Sequence, residues 1–440
     1  MTALLVGIDV GTTRVKAVAV DTSLTPLGEH SVATPWRHEG AQAELDPLAL
    51  AAAATEAAAG AARAARGHAM ALGITGMAET GVLLDGQGTP LAPALAWHDP
   101  RGDCAAVRAE LGEDAYRRTA GRELDTVSSL PKLLWLYRHV DGASRAVRFL
   151  SLPEWAVHVL GGDQVNELSL VSRTGLFDVP AKQPWEGALS MLGAGRAFLG
   201  DIVAAGQPVG VVHDEAPAEL RGALLTVAGH DHQTAAYGLD AAAEGVLFDS
   251  LGTAEALMRT VPAPLSGDAV DRLARAGVTT GWCVVPDQLC LLAGIATGIS
   301  LERLGCLVGA RTPAERIELG RQALATVRSA TAMHASASYH GLTLQDVDDW
   351  ADPALAWRVA VEDLTAAGDR IVAVMAAEVG PHTAAVVAGG WLHNPMVRAA
   401  KERQLGAARA AMAGEPGAVG AAELAGVAAG LVMPRWATST

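Results

Sequence analysis

Aromatic side chains are scarce. Phe, Trp and Tyr make up 4% of the 440 residues, while apolar residues as a class make up 50%. A chain of this length exceeds one ordinary core and fits two domains. Those cores must be built mainly from Ala, Val and Leu. Positive charge is also in short supply: 33 Lys and Arg stand against 48 Asp and Glu, for a net charge of −15. That balance argues against nucleic acid or an anionic membrane as a partner. Any phosphate chemistry must rely on local positive potential from backbone N–H groups, helix N-termini or a metal. The 4 cysteines, Cys104, Cys283, Cys290 and Cys306, form no CxxC pair. Neither a disulfide framework nor a zinc site is indicated, and the thiols read as free in a reducing cytoplasm. No uninterrupted apolar run reaches the ~18 residues of a membrane span. The start, Met-Thr-Ala-Leu-Leu-Val-Gly-Ile-Asp, lacks a basic region and meets an acid early, unlike a signal peptide. The GxxxxGK[ST], GxGxxG and GxSxG patterns are all missing, which excludes a Walker ATPase, a dinucleotide fold and a hydrolase elbow.

What is present is a pattern that occurs twice. Leu4–Val10 reads as a buried strand, Gly11-Thr12-Thr13 as a turn and Arg14–Asp21 as a second strand. In the second half, Val246–Ser250, Leu251-Gly252-Thr253 and Ala254–Met258 repeat the arrangement. Between them, a third strand is expected near Glu29–Thr34, and a helix from Asp46-Pro47 to about Arg66, with acid cap and Pro at the first helical position. Strands follow at Met70–Ile74 and Val82–Asp85, then a mainly helical stretch over 100–200, then a buried strand at Leu224–Ala228. Further strands are expected at Trp282–Val285, Leu289–Ala293 and Ala384–Ala388, and a long helix from Asp352-Pro353. Strands first, then alternating helices and strands, indicate a mixed α/β sheet in each half. The boundary is placed at 241, giving domains 1–241 and 242–440.

The residues that carry chemistry cluster at the ends of these strands. A Gly-containing hairpin turn lets N–H groups approach phosphate oxygens, so Gly11, Thr12, Thr13 and Lys16 are expected at one phosphate site and Gly252 and Thr253 at another. Asp9 is placed to hold Mg²⁺. Asp231, in Gly229-His230-Asp231-His232-Gln233, follows a buried strand and opens a helix, where it can accept a hydroxyl proton. A helix cap, or a metal site from His230, Asp231 and His232, is the competing reading of that motif. Glu79, Asp99 and Arg101 can bond polyol hydroxyls, and the Trp97 face can pack on C–H groups. A loop with solvated charges is the plainer reading of either segment. Gly389-Gly390, after a strand, allow a flat base to lie against the backbone.

In this order the motifs resemble the FGGY carbohydrate kinases, within the superfamily of actin, hexokinase and the heat-shock chaperone ATPases. Ser129-Leu130-Pro131-Lys132-Leu133-Leu134-Trp135-Leu136 is similar to that family's first signature, and Gly229–Gln233 to the loop with its catalytic aspartate. The resemblance implies two ribonuclease-H-like domains with mixed sheets flanked by helices and a cleft between them. It implies an ATP- and Mg²⁺-dependent kinase acting on a small sugar or polyol in the cytoplasm, and is compatible with a homodimer. Asp231 is then the catalytic base, with Met77, Glu79, Trp97, Asp99, Arg101 and His232 around the sugar. Gly298, Gly389, Gly390 and Asn394 join the ATP contacts. The chain also departs from the pattern. Met77-Ala78-Glu79-Thr80 stands where xylulose kinases carry Gln-Met-His-Gly, and only Glu79-Thr80 is kept from the Asn-Gln-Arg-Glu-Thr of glycerol kinases. The stretch from Gly305 to Gly341 is shorter than in the family, and Ala421-Ala422-Glu423-Leu424-Ala425 replaces a common Gly-Ala-Ala. These departures motivate an alternative, an ATP- and sugar-binding sensor without turnover. A chaperone-like ATPase would need a separate peptide-binding domain.

Overall fold

The computed structural model describes residues 2–328, 333–338, 341–345, 352–406, 408–411 and 414–438. The first half builds a five-stranded sheet from β1 (Thr2–Val10), β2 (Arg14–Val20), β3 (Pro26–Ala33), β4 (Gly67–Gly76) and β5 (Leu224–His230), in the order β5-β4-β1-β2-β3. β1 and β2 are antiparallel; β4 lies parallel to both β1 and β5. The second half builds a six-stranded sheet from β6 (Val246–Leu251), β7 (Glu255–Pro262), β8 (Thr279–Trp282), β9 (Gln288–Ile295), β10 (Ala384–Ala388) and β11 (Arg409–Ala411), in the order β8-β9-β7-β6-β10-β11. Here too the opening hairpin, β6–β7, is flanked by a parallel strand, β10.

Local chemistry explains the main helices. In α1 (Pro47–Ala64) the Asp46 side chain accepts from Leu48 N and Pro47 opens the first turn; alanines, the strongest helix formers, fill the body. The other helices near the site are α2 (Ser129–His139), α3 (Leu152–Val159), α4 (Asp231–Gly238), α5 (Thr297–Leu307), α6 (Pro353–Val379), α7 (Pro395–Leu405) and α8 (Pro416–Ala428). By sequence α8 belongs to the second half, yet it packs on the first sheet. A Cβ at Gly7 would collide with the backbone of Ala418 and Ala422, and one at Gly73 with the carbonyl of Ala421. The two glycines and the small residues of α8 therefore let helix and sheet meet backbone to backbone.

The expected elements are found with two exceptions. The stretch 100–200 is not helical throughout: Arg148–Ser151, Val165–Glu167 and Phe177–Asp178 are short strands. The first two pair with Gly81–Leu84 and Asp201–Val203, distant segments that local periodicity cannot reveal. Nor is Trp282–Val285 a strand. The edge strand ends at Trp282, where Cys283 N bonds Gln288 O to close a turn and Val284 N bonds the Gln233 side chain. The shortened stretch 305–341 contains a helix at Pro313–Ala325 and the strand His334–Ser338; its residues 329–332 and 339–340 lie outside the described residues.

The halves are joined through the 100–200 segment. One apolar cluster runs from Leu130, Leu133, Phe149 and Phe177 to Leu247, Leu289 and Leu364. Thr280 N bonds Gly121 O, Trp282 Nε1 bonds Val179 O, and buried Arg117 pairs with Asp271 at 3.0 Å. Among the described residues, no helix is long and apolar enough to cross a membrane.

Candidate active site

The C-terminal ends of the three parallel strands of the first sheet, β1, β4 and β5, coincide. Asp9 on β1 stands beside Thr75 on β4, and Thr75 beside Gly229 on β5. The Thr75 hydroxyl donates to Gly229 O at 2.6 Å and bonds the Thr234 hydroxyl, fixing the start of α4 to β4. This register brings Asp9 and Asp231 to the same end of the sheet.

Asp231 is the first residue of α4, not its cap; His230 takes the capping position. The N–H of its neighbour His232 donates to Asp231 Oδ1 at 2.6 Å, and the His230 ring lies close by, with Nε2 3.1 Å from the same oxygen. Burial alone would raise this carboxyl, but the His232 and His230 side chains and the His232 N–H outweigh it and hold it below the usual range. Burial pushes His230 down to about 3, so the imidazole is neutral. About a quarter of the Asp231 side chain is still accessible. The result is an ionised, oriented carboxylate open to the cleft. Among the described residues no cluster of three or more His, Cys, Asp and Glu is arranged to hold a metal, so the His230–Asp231–His232 metal reading has no support in this geometry.

Asp9 is half-buried against Gly417 at the start of α8, and its buried Oδ1 has no hydrogen-bond partner. Burial, reinforced by the Asp231 charge, raises its carboxyl to about 7. A half-buried carboxylate with one unpartnered oxygen, beside a second carboxylate, suits Mg²⁺, which takes one or two protein carboxylates and completes its shell with water and phosphate. A sign follows for stability. The folded value lies above the ordinary 3.8, so the stability compatible with Asp9 is full below about 3.8 and is lost as pH rises through about 7. In metal-free protein, Asp9→Asn should therefore gain thermal stability relative to wild type between pH 4.5 and 7.5. The slope is at most about 1.4 kcal/mol per pH unit. A parallel pair of Tm-against-pH curves would show that Asp9 is not buried as described.

The turn at Gly11-Thr12-Thr13 has its carbonyls engaged: Thr34 Oγ1 donates to Gly11 O, Trp36 Nε1 to Thr12 O and Thr34 N to Thr13 O. Trp97 Nε1 donates to Thr12 Oγ1 at 3.1 Å, which brings Trp97 onto the turn. Lys16 has a different partner, Glu415, at 2.7 Å. An ATP phosphate would have to take its place.

Glu79 sits at a left-handed φ of 63°, uncommon for a residue with a side chain and a mark of a position fixed by its surroundings. Its Oε1 receives Arg122 at 3.0 Å and Arg173 at 2.7 Å, and Ser129 Oγ bonds its carbonyl. Burial would raise this carboxyl; the Arg173 and Arg122 guanidinium groups reverse the effect and keep it ionised. Neither arginine was expected at the site, because the sequence shows charges but not which of them are buried against one another. Lys132, from the first signature, is also buried, donating to the carbonyls of Trp97, Thr126 and Val127, and burial lowers it to about 7.

Four expected contacts require revision. Met77 is 3% exposed and belongs to the core of the first half, so it reaches the site only through its backbone. Both Asp99 oxygens are taken, by Arg101 and by Ala43 N, and Arg101 also bonds Glu44. The pair holds the loop that carries Trp97, leaving Asp99 without free lone pairs for a polyol. Asn394 is 2% exposed; its Oδ1 caps α7 through Met396 N and Val397 N and its amide donates to Arg316 O.

The wall expected to receive the nucleotide in the second half is assembled from three loops. Gly252 and Thr253 are exposed, Ile299 N bonds Thr253 O at 2.7 Å, and Gly298 lies directly on the Gly252 carbonyl. Gly389 adopts φ 116° with its Cα against the Leu251 backbone, where no other residue fits, and Gly390 borders open space. Trp391, half-buried, packs 6.2 Å from Trp357 with the Arg316 guanidinium 5.7 Å from its ring centre.

Comparison with known proteins agrees with this architecture. A glycerol kinase of Methylorubrum extorquens is 33% identical over 213 residues, covering 45% of this chain and 42% of that protein. The chain thus spans less than half the length of such glycerol kinases. A xylulose kinase of Streptomyces coelicolor is 28% identical over 455 aligned positions, covering 99% of this chain and 91% of its own. The crystal structure of Plasmodium falciparum glycerol kinase with ADP superposes with a TM-score of 0.85 at 18% identity, over 97% of this chain and 90% of that one, and establishes the two-domain actin-like fold. Residues 4–238 match the N-terminal domain of the FGGY family of carbohydrate kinases, and with more than half of its length matched the chain belongs to that family.

Proposed function

We propose that this protein transfers the γ-phosphoryl group of ATP to a primary hydroxyl of a small sugar or polyol, such as a ketopentose or a related polyol or aldonate. The carrying observation is the Asp231 carboxylate, ionised, held on one oxygen by the His232 N–H and still partly open to the cleft. A carboxylate in that state can orient a hydroxyl and accept its proton as the bond to phosphorus forms. The Gly11–Thr13 and Gly252–Thr253 turns cradle the phosphates from opposite walls, and Lys16 exchanges Glu415 for a phosphate oxygen. Mg²⁺ at Asp9 supplies charge neutralisation. Glu79, with its two arginines, and the Trp97 ring hold the polyol. Closure about the connection at 241–245 excludes water, which would otherwise compete as acceptor.

The test is ADP release from purified protein with MgATP and a panel of ketoses, polyols and aldonates. Glycerol and xylulose, the substrates named in its relatives, come first. Turnover on one compound supports the proposal and names the acceptor. Nucleotide binding without turnover on any of them would favour the sensor.

A further inference from the structure

Away from Asp231, a second set of charged side chains is buried in the other half. Asp249 on β6 pairs across the hairpin with Leu257. Glu255 lies two residues before Leu257, so both carboxylates point to one face of the sheet. Lys401, from α7, places its ammonium between them, 2.5 Å from Glu255 Oε1 and 2.9 Å from Asp249 Oδ2. Gln404 Oε1 accepts a further bond at 2.8 Å, and Thr297 Oγ1 donates to the remaining Glu255 oxygen at 2.6 Å. The side chains of Lys401, Asp249 and Glu255 are 3%, 0% and 0% exposed. Burial acts to strip the proton from Lys401; the two carboxylates keep it on.

Such a cluster is a poor way to stabilise a core, since apolar side chains of the same volume generally serve as well or better. What it supplies is direction: an ammonium accepts only a few partner geometries. Its members all adjoin the nucleotide wall. Asp249 and Glu255 flank the Gly252–Thr253 turn, Thr297 precedes Gly298, and Lys401 lies on the helix that follows Gly389-Gly390. The loops themselves touch mainly through backbone, Ile299 N to Thr253 O and Gly389 against Leu251. Nothing in those contacts alone fixes α7 relative to β7 and α5.

We propose that Lys401 is a positioning residue for the nucleotide: its ammonium, through Glu255, Asp249 and Thr297, sets the spacing between the second phosphate turn and the loop expected to receive the adenosine. The inference rests on the kinase reading above. It makes the nucleotide half of the site dependent on a cation that never touches the ligand, and leaves the sugar half independent of it.

The experiment compares wild type, Lys401→Met, Lys401→Arg and Thr297→Val by ADP affinity in the presence of Mg²⁺, by separate KM values for ATP and the sugar, and by Tm. Thr297→Val removes one hydrogen bond at nearly constant volume. It should raise the ADP Kd and the KM for ATP about three- to tenfold, with the sugar KM unchanged. Lys401→Met should raise them more, and Lys401→Arg should recover part of the loss. Unchanged ADP affinity in folded Thr297→Val and Lys401→Met protein overturns the proposal, as does an equal rise in both KM values. Should Lys401→Met fail to fold, Thr297→Val decides. A Thr297→Val protein that is itself unfolded would assign the cluster to stability and overturn the proposal. Wild-type protein that binds no ADP or ATP would sink the kinase reading as well, an outcome distinct from normal binding that the variants leave intact.

Discussion

Asp231→Asn is expected to lower kcat on the accepted sugar by about 10²–10⁴, the range for loss of a general base, with little change in affinity for ATP or sugar. Asn keeps the shape and retains an oxygen for the His232 N–H, so α4 should start as before. It lacks only the basicity. The KM values and Tm therefore separate this account from structural damage: a large fall in kcat with both preserved identifies the base. A kcat within about threefold of wild type would remove Asp231 from the chemistry.

The largest stability effect is expected at a residue without a side chain. Gly7→Ala places a methyl group inside the backbone of Ala418 and Ala422 on α8. Backbone on both sides cannot yield as a flexible side chain can. Overpacking typically costs about 1–3 kcal/mol, and here the loss should reach or pass the upper end. Gly86→Ala provides the control, because a Cβ there meets nothing within 4 Å and its φ is not left-handed. That substitution should stay within about 0.5 kcal/mol. Denaturant midpoints measured side by side decide the matter; similar shifts for the two variants would mean that α8 does not seat on the sheet as closely as described. A lesser Gly7→Ala protein that folds should also lose activity, since displacing α8 displaces Gly417, which packs on the Asp9 carboxylate.

Much of this architecture was legible in the sequence because its signals are local. The alternation of Arg14–Val20, the Asp46-Pro47 helix start and the two Gly-Thr turns each depend on neighbours in the chain, and each stands where expected. So does Asp231, at the junction of a buried strand and a helix. What escaped is whatever depends on a partner far along the chain. Arg122 and Arg173 acquire their role only when folding brings both to Glu79. Asp99 looked available for a polyol until Arg101 and Ala43 N were seen to occupy both of its oxygens. Lys401 reads as one more charge on an amphipathic helix; its burial between Asp249 and Glu255, roughly 150 residues earlier, has no local signature.

The seating of α8 also has a temporal meaning. The strands of the first sheet are complete once residue 230 has been made, but the helix that covers one of its faces begins at residue 416. On the ribosome, emerging N-terminal first, that sheet must wait through the synthesis of nearly the whole second half with Leu5, Val18 and Ala71 uncovered, the residues that α8 later buries with Ala418, Ala422 and Ala425. The first half is therefore not an autonomous folding unit in the order of its synthesis. Its last component is not made until residue 416 and beyond, so a nascent chain stalled or truncated before that point would hold the residues expected to bind the sugar and carry out its phosphorylation, but on a sheet with an open apolar face.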